Sequence, residues 1–108
     1  MPFAPRIVLI TAPTLESARH LARLVLEKKL AACVNLVPAA ESHYWWKGKL
    51  ESAAEILLLV KTSADQFEPL RELVALHHPY ACPEVVAIEP REIAPPYRKW
   101  WEENLEQL

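Results

Sequence analysis

Glu55-Ile56-Leu57-Leu58-Leu59-Val60-Lys61-Thr62 is an unbroken apolar run, and Arg6-Ile7-Val8-Leu9-Ile10-Thr11 is its counterpart near the N-terminus. Neither alternates apolar with polar residues, as a strand with one wet face would. Both are therefore expected as strands buried on both faces, which belong in the middle of a sheet. After the first run, Ala12-Pro13 breaks the strand and Thr14 offers an N-cap, with Glu16 in the first turn where the helix dipole favours negative charge. Leu15, Ala18, Leu21, Ala22 and Val25 then recur at helical spacing, and Lys28-Lys29 closes the last turn.

Upstream of the second run lies a strand from Ala32 to Val37, interrupted at Pro38, and an extended stretch through Ser42-His43-Tyr44-Trp45-Trp46. Lys47-Gly48-Lys49 is a turn, so the segments on either side of Gly48 form a long hairpin. Downstream, Asp65 is placed to cap a second helix carrying Phe67, Leu70, Leu73, Val74 and Leu76, which Pro79 stops. Glu84 to Ile88 is a short strand, Pro90, Pro95 and Pro96 mark an irregular connection, and Tyr97 to Leu108 is a terminal helix. The order β-α-β-β-α-β-α predicts an α+β fold: a ferredoxin-like βαββαβ sandwich with a long β2–β3 hairpin and a C-terminal helix, as a single domain over residues 1–108. That topology puts the first and third strands at the centre of the sheet, where the two aliphatic runs belong.

Composition narrows the function. Lys+Arg 12 against Asp+Glu 14 gives a net charge of −2, so there is no basic field for nucleic acid or an anionic membrane. No run approaches a membrane span, and the first six residues lack a signal-peptide pattern, so a cytoplasmic protein is expected. A single glycine, Gly48, excludes glycine-rich phosphate loops. Ten prolines and four side-chain amides fit a thermophilic source. Cys33 and Cys82 stand far apart, without CxxC spacing, and read as free thiols.

His77-His78-Pro79-Tyr80, followed by Cys82 and Glu84, is the densest group of donor side chains. Imidazole and thiolate suit copper and zinc, but adjacent helical histidines diverge by about 100°. A shared site requires the last turn to unwind; otherwise both rings complement the helix C-terminus. His20 faces solvent on the first helix, with no partner in sight. Tyr44-Trp45-Trp46 must point one tryptophan away from its own core, which fits a protein contact. Base stacking on the sheet has no support, because the two central strands carry no aromatic pair. No nucleophile, paired carboxylates or organic-cofactor fingerprint is visible, and an enzyme is not expected.

Ala31-Ala32-Cys33-Val34-Asn35-Leu36-Val37-Pro38, Tyr44-Trp45-Trp46-Lys47-Gly48, the Glu55–Thr62 run, His77-His78-Pro79-Tyr80 with Pro83-Glu84-Val85-Val86, and Tyr97-Arg98-Lys99-Trp100 together resemble the CutA divalent-cation tolerance family. The resemblance implies a homotrimer, a cytoplasmic location and tolerance of divalent cations, copper above all. It makes His77 and His78 the expected ligands of Cu²⁺ or another divalent cation, with Cys33 as the remaining thiol. The family's cysteine at the end of the first strand is Ile10 here. Trimers of this type also resemble the PII signalling proteins. That likeness implies an alternative, a small-molecule sensor whose intersubunit cleft gathers Tyr44, Trp46, Lys61, Tyr80 and Glu84.

Overall fold

The computed structural model describes residues 2–107. Its elements are β1 (Pro5–Ala12), α1 (Leu15–Glu27), β2 (Cys33–Trp46), β3 (Lys49–Ser63), α2 (Phe67–His77), β4 (Val85–Ile88) and α3 (Pro95–Glu103). The strands form one antiparallel sheet in the order β2-β3-β1-β4, so the two aliphatic runs are its central strands. This is the expected ferredoxin-like α+β arrangement.

Pleating sorts the side chains. Val8, Ile10 and Ala12 of β1 and Ile56, Leu58, Val60 and Thr62 of β3 point to one face, where α1 and α2 bury them with Ala18, Leu21, Val25, Leu70 and Val74. α3 closes the end of that layer. Its Trp101 is buried, packs edge-on to Phe3 and donates its indole N–H to the Thr62 carbonyl at 3.0 Å. On the other face Ile7, Leu9, Leu57 and Leu59 are only half-buried. The flanking Val37, Val86 and Ile88 stand 43, 49 and 46% exposed. Burial on both faces is thus not completed within one chain, because both covering helices lie on the same side.

β2 does not stop at Pro38. It continues to Trp46 through a bulge, the register moving from Val37↔Leu57 to Ala40↔Glu55. Three steps along β2 match two along β3, and Ala39 takes up the extra residue at φ 65°. Side-chain parity flips there. Odd residues before the bulge (Asn35, Val37) and even ones after it (Ser42, Tyr44, Trp46) share the open face. β3 begins at Lys49, so the hairpin exceeds the expected Glu55 start and extends the molecule to 44 × 27 × 23 Å. Lys47 and Gly48, at φ 49° and 77°, make the two-residue turn that matches strand twist.

The helix ends explain the remaining departures. Thr14 caps α1 by accepting from the Ser17 N–H, and Ser17 reciprocates to the Thr14 N–H. α1 finishes in a Schellman turn: the Leu30 N–H reaches the Val25 carbonyl and the Lys29 N–H reaches that of Leu26. Asp65 does not cap α2. Gln66 holds that position, and its amide bridges the Ser63 hydroxyl and the Glu106 carbonyl instead. α3 starts at Pro95 rather than Tyr97, since proline suits the first helical turn, and ends at Glu103.

Lys29 sits at φ 58°, a conformation that costs a residue with a Cβ roughly 1–2 kcal/mol. Lys29→Gly is expected to raise stability by about 0.5–1 kcal/mol in urea unfolding, after the entropy of the new glycine. Trp101→Ala should lower it by about 3–5 kcal/mol, because the cavity adds to the lost burial.

Candidate functional site

Pro79 forces the preceding residue out of helical geometry, and His78 accordingly takes φ −79°, ψ 139°. The last turn of α2 does unwind, yet the tandem histidines part rather than converge. His78 is turned inward and 8% exposed. Its Nε2 lies 2.7 Å from the Thr11 carbonyl, and its Nδ1 accepts the Tyr80 N–H at 3.0 Å. A carbonyl only accepts and an amide N–H only donates, so both ring nitrogens are committed. His77 remains on the exposed end of α2. It meets His20 of α1 edge-on, with ring centroids 5.8 Å apart. His20 thus has a partner that reading along α1 alone did not reveal.

Cys33 and Lys61 lie at the other end of the sheet, paired with each other across β2 and β3. Lys61 also pairs with Ile7 of β1, about 13 Å along the strand from Thr11. The Lys61 ammonium is held by the Asn35 side-chain oxygen, and the Cys33 thiol neighbours Tyr97. Burial first, and then Cys33, raise the Tyr97 phenol above its ordinary range. The set His77, His78 and Cys33 is therefore not assembled within one chain. Among the described residues no group of three His, Cys, Asp or Glu side chains is placed to hold a metal ion.

Four of the five expected cleft residues do come together. Tyr44, Trp46, Tyr80 and Glu84, with Thr11, Ser42, Glu55 and Cys82, line an open cleft of about 690 Å³ between the projecting hairpin and the loop after α2. Within one chain Lys61 stands apart from them, six residues from Glu55 along β3. The floor is polar: Glu55 is 7% exposed and accepts the Tyr80 hydroxyl at 2.8 Å. Partial burial, and then the Glu55 carboxylate, push the Tyr80 phenol up to about 12.

Over residues 6–104 the chain matches the CutA1 divalent ion tolerance protein family. The chain belongs to this family. It is 46% identical over 98 residues to the divalent-cation tolerance protein CutA of Thermus thermophilus, spanning 91% of this chain and 95% of that protein. CutA1 from Oryza sativa superposes with a TM-score of 0.93 at 37% identity, covering 98% of each chain. A CutA from Archaeoglobus fulgidus, described as periplasmic, gives 0.90 at 40% identity and covers 94% of this chain and 99% of that one. The family carries the name of a tolerance protein rather than of an enzyme.

Within this CutA-family fold Ile10 is sealed under the helices at 1% exposure, so the position where the family resemblance expects a cysteine lies in the core. Sequence reasoning missed Glu55 and His20. Glu55 opens the second apolar run with the parity of Leu57 and Leu59, a charge on an otherwise apolar face, and that was its signal. His20 carried none, because its partner comes from another helix.

The Tyr80 phenol is expected to ionise near pH 12 instead of 10, read as the tyrosinate absorbance lost in Tyr80→Phe. Glu55→Gln should bring that midpoint down. The fold favours the neutral phenol, so its contribution to stability is complete below pH 10 and fades as the pH rises through about 12.

Proposed function

We propose that this chain serves divalent-cation tolerance as a cytoplasmic homotrimer that binds Cu²⁺ or a similar divalent ion weakly, with His77 as principal ligand. The supporting observation is the division of labour between the tandem rings. His78 spends both nitrogens on the backbone, whereas His77 stays exposed beside the His20 ring. Two imidazoles on neighbouring helices suit copper and leave coordination positions open, which fits weak, exchangeable binding. Cys33 takes no part in this reading.

The trimer is supported by the open sheet face, where Ile7, Leu9, Leu57 and Leu59 continue into exposed Val37, Val86 and Ile88. A contiguous apolar face of this kind on a small chain calls for a partner, and β2 presents a 14-residue edge beside it. A closed ring of copies covers every face and edge, whereas an open chain of them would form fibres. The exposed free thiol of Cys82 fits a reducing compartment, and ten prolines beside one glycine fit a high working temperature.

A second reading, a small-molecule sensor, is favoured by the aromatic cleft around Glu55.

Calorimetric titration with Cu²⁺ tests the metal site. His77→Ala is expected to weaken binding by roughly tenfold or more, about 1.4 kcal/mol. His20→Ala should follow in the same direction, and His78→Ala should change stability but not affinity. Acidification should weaken binding, because protons compete for the imidazole lone pair. Unchanged affinity in His77→Ala removes that residue from the reading. Light scattering on a dilution series should return three times the 12.3 kDa chain mass, and Leu59→Glu should break the assembly.

A further inference from the structure

We propose that the His20–His77 pair takes up Cu²⁺ as a mixed complex, in which two imidazoles of the chain and one N,O-chelating amino-carboxylate share the ion. The inference rests on the metal reading above and adds the chemical form in which the ion is bound.

The place suits a site that stays open. His20 and His77 are exposed on α1 and α2, on the side of the sheet opposite the face given to the neighbouring copies. Their rings meet edge-on, with centroids 5.8 Å apart and an interplanar angle of 72°. A metal–imidazole bond runs to about 2 Å, so such a spacing admits one ion between the rings once these exposed side chains rotate.

Ligand count decides the form. Cu²⁺ favours a square-planar or tetragonal N,O set with four strong positions. The pair supplies two. Among the described residues no third His, Cys, Asp or Glu side chain converges on it. His78 is not available as a third, because the Thr11 carbonyl and the Tyr80 N–H occupy both its nitrogens. Glu16, one turn before His20 on α1, belongs to no such group either. Two positions remain, the number that one bidentate ligand fills. A chelator that surrounds the ion leaves none for the imidazoles.

Charge selects the chelator. Arg19 and Arg23 of α1 are matched by Glu16 and Glu27, the Arg23–Glu27 pair lying exposed at 3.7 Å. Residues 73–80 bring no carboxylate, Lys or Arg. The surroundings therefore offer a dication no surplus negative charge. A neutral diamine would leave both charges on the ion, whereas an amino-carboxylate cancels one of them. Its amine nitrogen also suits Cu²⁺, as imidazole does. Uptake is then a ligand exchange: the lone pairs of two neutral imidazoles replace two waters, and no electron or proton is transferred.

The test uses the intact protein in excess over equimolar Cu²⁺ and glycinate, in a non-coordinating buffer at neutral pH. Frozen-solution EPR is recorded with ¹⁵N-labelled and with unlabelled glycinate. The expected spectrum changes on adding protein and still depends on the glycinate isotope. Calorimetry should show uptake of Cu²⁺–glycinate and none of Cu²⁺–EDTA. His20→Ala and His77→Ala should each weaken that uptake about tenfold or more. Cys82→Ser should leave the spectrum as it is, and a signal lost with that exposed thiol would overturn the pair as the site. A protein-bound spectrum blind to the isotope would overturn the mixed complex while leaving the metal reading in place. Copper bound neither bare nor as the glycinate complex would overturn both. The isotope comparison on the unaltered chain holds even if a variant fails to fold.

Discussion

A strand that is apolar on both faces needs both faces covered, and β1 and β3 have only one covered by their own chain. α1 and α2 seal the row Val8, Ile10, Leu58 and Val60, while Ile7, Leu9, Leu57 and Leu59 keep their alternation and lie half-open. Period-two geometry leaves no third option. Moving a helix to the second face would strip the first. The proposed trimer answers this constraint, and the location of the cleft depends on the same face. Glu55 continues the row that begins with Lys61, Leu59 and Leu57, at the end where the apolar surface gives way to polar groups.

The bulge at Pro38-Ala39 converts that face into a site. Without it, His43 and Trp45 would share the face of Glu55, and Tyr44 and Trp46 would face the opposite side. One extra residue in β2 reverses the parity, so two aromatic rings share a face with a buried carboxylate. The conformation at Ala39, φ 65°, costs a residue with a Cβ about 1–2 kcal/mol. Strain of this kind persists only where its surroundings hold it, and here the flanking ladder does so from both sides.

The topology was legible because its signals are strong and local. Two aliphatic runs named the central strands, Gly48 marked the turn, and Thr14 marked a helix start. The expected helix ends failed where a competing contact won. Asp65 lost the cap to Gln66, whose amide is drawn toward the C-terminal tail. Pro95 and Pro96 read as loop although proline is at home in a first helical turn. The site was legible only in part. Tyr44, Trp46, Tyr80 and Glu84 were read together, but their parity depends on a bulge that Pro38 announces without specifying its register. Lys61 was grouped with them across a cleft between subunits, and within one chain strand geometry puts it about 20 Å away, six residues along β3 from Glu55. His20 and His77 meet only because α1 and α2 pack, which no spacing along either helix encodes.

Pro79 is the residue at which these threads meet. By excluding helical geometry at His78 it sends that imidazole to the Thr11 carbonyl and leaves His77 on α2. The same turn of the chain places the Tyr80 N–H on the His78 ring and the Tyr80 hydroxyl on Glu55. One backbone restriction thereby separates the two histidines and sets His77 apart from the cleft. The His77 and His20 rings stay on the helical surface, and the buried Glu55 side chain with Tyr44, Trp46 and Tyr80 near it lies on the sheet face. The link between them runs through His78, which touches β1, the loop and the end of α2 at once. A tandem histidine motif therefore need not mean two equivalent ligands: in this fold one ring builds the scaffold that holds the other apart from the cleft.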